Sequence, residues 1–176
     1  MKKSIAWILT TIMMLALLTG CGSKSAKSDT EYVKKNGKLI VGITDYEPMD
    51  YKDENGEWTG FDAEFARMFA KELGVDCEFF VIADWGQKFF ELDSKNIDAI
   101  WNGMTITDEV TLNTNCSKPY VVNAQVIVMK ADAVGNYADT DSLKDLTFAV
   151  ESGSAGEDAV KGLGISDYVA VQDQTK

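Results

Sequence analysis

The small-residue turn Ser152-Gly153-Ser154-Ala155-Gly156 follows a β-rich run and precedes a helical pattern, a place where this sequence could do chemistry. Backbone N–H groups at a helix start attract anions, so a phosphate or a carboxylate would suit it. The lysine and Ser/Thr of a P-loop do not follow, and the spacing of the dinucleotide fingerprint is absent. A plain strand-to-helix turn is the other reading. A second candidate is Asp53, Asn55 and Gly56, at positions three, five and six of a calcium-loop frame. Its first position is Tyr51, which has no carboxylate, so an Asn-Gly hairpin explains the stretch better and no metal site is expected. Third come Tyr46, Tyr51, Trp85 and Trp101, all at the ends of strand-like segments. Ligands of open α/β sheets sit at the carboxyl ends of strands. Any one ring can be core instead, but Tyr46 and Trp85 stand in loops beside polar residues. The chain has no histidine, no serine in a nucleophile-elbow context and no singled-out pair of acids. No catalytic residue and no cofactor are therefore expected.

The elements that must position these residues alternate. Lys38 to Ile43 reads as a strand, and a loop with Pro48 leads to the hairpin at Asn55-Gly56. From Phe61, apolar residues at Phe65, Met68, Phe69 and Leu73 keep helical spacing, and Gly74 stands where the helix stops. Val75 to Ile82 reads as a strand, Phe89, Phe90 and Leu92 as a helix, and Ile97 to Trp101 as a strand. Such alternation predicts a largely parallel sheet with covered faces. After a polar loop and a short helical piece, Gln125 to Lys130 reads as a long apolar strand. Ser142 to Leu146 reads as a helical turn, Thr147 to Glu151 as a strand, and a helix and the strand Tyr168 to Val171 follow. A second α/β lobe thus begins, with two of its strands present.

Lys2 and Lys3 before the apolar run Ile5 to Leu18 form a secretion signal, too short for a permanent membrane span. It ends in Leu18-Thr19-Gly20-Cys21, which resembles the lipobox of bacterial lipoproteins, so Cys21 is expected to carry lipid. Gly22 to Thr30 is Gly/Ser/Lys-rich and suits a flexible tether. Without residues 1–20 the chain holds 15 basic and 28 acidic residues, net −13. That charge disfavours nucleic acid and anionic lipid, leaving Cys21 as the attachment to the extracytoplasmic face of the cell membrane. Cys77 and Cys116 would share an oxidising compartment, and spacing leaves open whether they pair.

The order of these features, with Gly37-Lys38-Leu39-Ile40-Val41-Gly42, Gly60-Phe61-Asp62, Ile97-Asp98-Ala99-Ile100, Gly103-Met104-Thr105-Ile106-Thr107-Asp108-Glu109, Ser117-Lys118-Pro119-Tyr120 and Ser142-Leu143-Lys144-Asp145-Leu146, resembles extracellular solute-binding proteins of family 3. These serve polar amino-acid ABC importers. The resemblance spans Gly37 to Lys176 and implies a two-lobe α/β periplasmic-binding-protein fold with the ligand trapped between lobes. It divides the chain into a signal at 1–20, lipidated Cys21 and tether at 21–36, lobe one, nearly complete, at 37–125, and a hinge strand with a partial lobe two at 126–176. It places Tyr46 and Trp85 on the two sides of the ligand, Gly103, Met104 and Thr105 in the carboxylate-binding loop, and Ser154 and Ala155 as second-lobe contacts. The partners implied are an amino acid or similar metabolite and an ABC permease, and a monomer is expected.

Two departures alter the expectation. Val110 stands where the family pattern Thr-Ile-Thr-x-Glu-Arg has its carboxylate-gripping arginine, and Ala155 replaces a common threonine. The family's later second-lobe strands and its ammonium-binding acid are also missing, so the sequence reads as a front part. A sensory receptor module is the alternative function. An enzyme on the same scaffold would need a catalytic acid in the cleft.

Overall fold

The strand Lys38–Ile43 (β1) can be apolar nearly throughout because both its edges are paired and both its faces covered. Val41 and Ile43 are fully buried. The computed structural model describes residues 28–173. The signal segment and Cys21 lie outside them. A helix, α1 (Asp29–Asn36), forms where a tether was expected, with acids in its first turn and Lys34 and Lys35 in its last, complementing the helix dipole.

A hairpin follows β1: β2 (Tyr51–Lys52) pairs antiparallel with β3 (Trp58–Thr59). Asp53 makes its turn by accepting from the N–H groups of Asn55 at 2.8 Å and Glu57 at 3.0 Å, which uses the carboxylate for backbone rather than metal. Helix α2 (Phe61–Leu73) then packs Ala66 and Ala70 on β1, and Gly74 ends it in the left-handed conformation. Strand β4 (Asp76–Val81) lies parallel to β1 from Lys38 opposite Asp76 to Ile43 opposite Val81. A tight turn at Trp85–Gln87 leads into α3 (Lys88–Asp93), and β5 (Ala99–Ile100) closes the sheet in the order β4-β1-β5. After the short α4 (Asp108–Asn113), the second α/β unit is β6 (Phe148–Glu151), α5 (Ala155–Gly162) and β7 (Tyr168–Val171), whose strands are again parallel. A 3₁₀ turn at Asp141–Leu143 precedes it, at the predicted helical turn.

The predicted strand and hinge strand at Gln125 to Lys130 do not form. A strand exists through its ladder, and none of the described residues pairs with this segment, which leaves Val126 and Val128 exposed. Cys77 and Cys116 are free thiols. No helix among the described residues is long and apolar enough to cross a membrane.

The start of α2 has no side-chain cap. Instead the N–H groups of Phe61 and Asp62 donate to the carbonyls of Pro48 (3.1 Å) and Met49 (2.9 Å). Gly60 makes this approach possible: its φ is +115°, and a Cβ there would stand 2.3 Å from the Met49 carbonyl oxygen. Gly60→Ala is therefore expected to cost about 2–5 kcal/mol. Gly56, at φ +82° with nothing within 4 Å of a Cβ, is the control, and Gly56→Ala should cost only about 1–2 kcal/mol. Urea midpoints of the two variants check the difference; equal losses would mean that the Met49 contact is not what selects glycine.

Candidate ligand-binding site

Parallel pairing puts the carboxyl ends of β4, β1 and β5 on one edge of the sheet, and the loops leaving that edge carry the expected first-lobe ligand residues. Asn102 ties two of these loops together. Its Oδ1 accepts from the Thr44 N–H at 2.7 Å, and its Nδ2 donates to Thr44 Oγ1 at 2.7 Å. Tyr46, half-buried, sits beyond Thr44 in a turn closed by its N–H donating to the Asp50 carbonyl at 2.6 Å. Gly103 and Thr105 follow Asn102, and Asn123 Nδ2 donates to the Gly103 carbonyl (3.3 Å) and Thr105 Oγ1 (3.1 Å). The Thr105 hydroxyl thus keeps its own proton to donate. Met104 leans on the core cluster of Ile82, Trp85 and Ile97.

Trp85 is more buried than its loop position suggests. Its ring is 7 % exposed and packs with Ile82 and Ile97, because the Trp85–Gln87 turn folds back over the sheet edge instead of projecting from it. In the second unit, Ser154 caps α5, its Oγ accepting from the Glu157 N–H at 3.2 Å, and Ala155 is the first helical residue. Glu157 returns the contact, accepting from the Gly153 N–H at 2.8 Å. A side-chain carboxylate already serves the helix start there. The two units meet in this region: a Cβ on Gly153 would lie 2.8 Å from Gly86 Cα, and Lys88 Nζ donates to the Gly153 carbonyl at 3.0 Å. Val110 is 3 % exposed in α4, and Arg67 is engaged elsewhere, with Glu64 and the Trp58 carbonyl.

Sequence reasoning missed Asn102, Asn123, Lys88, Asp50 and Asp62. The two asparagines looked like ordinary loop residues, and their role appears only when separate loops are brought together. Two open depressions, of about 520 Å³ beside Arg67, Lys71 and Cys77 and about 510 Å³ beside Tyr51, Phe61 and Met68, include the strand-end aromatic Tyr51 but none of Tyr46, Trp85, Gly103, Met104, Thr105, Ser154 and Ala155. The first lies where β1 and β4 begin, the opposite end from the loops described.

Asp50 and Asp62 are fully buried side by side behind the Tyr46 turn. Asp62 Oδ1 accepts from Tyr120 Oη at 2.8 Å, whereas neither oxygen of Asp50 has a hydrogen-bond partner among the described residues. Burial, and then the charge of Asp62, push the Asp50 carboxyl up to about 8. Burial also raises Asp62, opposed by Tyr120 and by the neighbouring Gly103 N–H.

Residues 39–157 match the model of bacterial extracellular solute-binding proteins, family 3. The chain belongs to that family. It is 32 % identical over 167 residues to the L-cystine-binding protein TcyJ of Escherichia coli (strain K12), covering 91 % of this chain and 62 % of the relative. It is 35 % identical over 167 residues to the arginine-binding extracellular protein ArtP of Bacillus subtilis (strain 168), covering 93 % and 61 %. The crystal structure of the ancestral amino acid-binding protein AncCDT-1, a precursor of cyclohexadienyl dehydratase, superposes with a TM-score of 0.79 at 33 % identity, over 84 % of this chain and 66 % of that one. The chain thus spans about three fifths of the length of these curated relatives. The mixed α/β architecture is that of a partial two-lobe binding protein.

The buried Asp50 carboxyl has a pH consequence. The folded state keeps a proton that the unfolded chain releases near 3.8, so Asp50 lowers stability progressively as the pH rises from about 4 towards 8, where the loss levels off. Asp50→Asn should leave the melting temperature unchanged near pH 4 and raise stability at pH 8 by about 1–3 kcal/mol. Thermal melts of both proteins across that range check this; parallel curves would place the pH dependence elsewhere.

Proposed function

We propose that this protein captures an amino acid or related small polar metabolite outside the cytoplasm and delivers it to an ABC importer. The observation that carries this reading is the family match over residues 39–157, within which the loops bearing Tyr46, Trp85, Gly103, Met104 and Thr105 leave one edge of the sheet. The names of TcyJ and ArtP, binding proteins for L-cystine and arginine, point to the same solute class. Binding without turnover suits a chain with no histidine and a site built from backbone groups, a threonine hydroxyl and aromatic rings. The anchor proposed is the lipid on Cys21, in keeping with a protein that must stay beside its permease, and the working unit proposed is a monomer. Ser154 and Ala155 provide the second-lobe side of the ligand, next to Gly153 and its contact with Gly86.

Thermal unfolding of the complete protein against free L-amino acids, including arginine, cystine and glutamine, tests the reading. A ligand at a hundred times its dissociation constant adds ~2.7 kcal/mol, which corresponds to roughly 5–10 °C for a chain of this size. One such shift identifies the solute. Thr105→Val should then weaken its binding by roughly 10-fold, the loss of one hydroxyl donor. Flat responses to every amino acid would move the protein to another solute class.

A further inference from the structure

Lys88 is a buried ammonium without an ionic partner. It is 3 % exposed, lies over the rings of Trp85 (5.2 Å) and Phe89 (4.6 Å), and donates to the carbonyls of Gly153 at 3.0 Å and Trp85 at a long 3.5 Å. It belongs to none of the ion pairs among the described residues. Four acids, Glu109, Asp158, Glu151 and Asp84, surround it at longer range. Glu109 is the neighbour of Val110, which is buried in α4.

Moving a cation out of water is costly unless an anion meets it, and neutral carbonyls offset only part of that cost. A lysine has three N–H donors, and the two carbonyls leave one without an oxygen acceptor. The head group also sits after the carboxyl ends of both β4 and β6, beside the Gly86 and Gly153 contact that joins the two α/β units. We propose that Lys88 binds the carboxylate of the captured solute, acting as the site's specificity-determining cation. The proposal rests on the solute-binding reading above and deepens it, assigning the solute an anionic group that meets an ammonium. When the carboxylate arrives, Nζ turns its free donor to it while the Gly153 carbonyl holds the ammonium at the junction of the two units.

The experiment uses the complete protein as wild type, Lys88→Met and Lys88→Arg, with two kinds of probe. The first is sodium acetate against sodium chloride at equal ionic strength, which needs no knowledge of the solute. Acetate should raise the wild-type melting temperature and leave that of Lys88→Met unmoved. Without any carboxylate, Lys88→Met should be at least as stable as the wild type, because an unpaired buried charge has been removed. The second probe is calorimetric titration with L-arginine and L-cystine and with their carboxyl amides. For whichever acid the wild type binds, Lys88→Met should lose roughly 10- to 100-fold in affinity, Lys88→Arg should retain most of it, and the amide should bind wild type and Lys88→Met alike. An acetate effect equal in both proteins, or absent from both, overturns the proposal. So does a Lys88→Met protein that melts well below the wild type and loses acid and amide equally, which would make Lys88 a fastener for the Gly153 turn. If neither amino acid binds the wild type while acetate still acts only through Lys88, the amino-acid reading falls and the carboxylate subsite stands.

Discussion

The parallel register of β1 between β4 and β5 is the constraint on which the rest of the first lobe depends. Parallel strands all end on the same side, so three separate stretches of chain deliver their loops to one edge. Keeping β1 in the middle requires a strand without exposed faces, which its fully buried Val41 and Ile43 satisfy, and it requires neighbours close enough to seal it. Gly42 shows how close they come: a Cβ there would lie 2.6 Å from Ile97 Cδ1 and 2.9 Å from Ile82 Cδ1. Ile82 and Ile97 are also what Trp85 packs upon. The packing that seals the central strand is therefore the packing that fixes the first residue of the Trp85–Gln87 turn.

Periodic features carried most of the fold. The helix Phe61–Leu73 with its glycine stop, the hairpin at Asn55-Gly56 and the alternating strands all follow from local chemistry, and all are present. The failures have separate causes. Gln125 to Lys130 has strand composition but no strand beside it, and composition cannot supply a ladder. Asp29–Asn36 has the polarity of a tether, yet its acids and lysines fall at the ends where a helix dipole favours them. The placement of the candidate loops was legible, because loops at strand ends are placed by topology. The supporting contacts were illegible: Asn102 reaches back to Thr44, and Asn123 reaches Gly103 and Thr105, across sequence distances that no local pattern encodes.

Charge placement separates two kinds of burial. Asp50 is enclosed with no hydrogen-bond partner among the described residues, and its surroundings favour the protonated form, whose burial costs less than that of a carboxylate. Lys88 is buried among different groups. Burial draws its affinity for the proton downward, and Glu109, Asp158, Glu151 and Asp84 oppose that only in part. The first group has no polar partner among the described residues; the second is met by two carbonyls and two rings.

That difference bears on how a site with Val110 can hold an anion. Arginine grips a carboxylate with a rigid fork, whereas lysine offers one compact charge on a flexible stem. Such a charge gives little orientation by itself. In the proposed site orientation has to come from groups fixed independently, and two of the candidates are so fixed: Thr105 is positioned by Asn123, and Ser154 is set by its cap on α5. A cation that supplies strength and a frame of small donors that supplies direction can together do what one guanidinium does alone. They also distribute recognition over both α/β units, since Lys88 belongs to the first and touches the Gly153 turn of the second. In that proposal one side chain serves both solute recognition and the contact between the two α/β units.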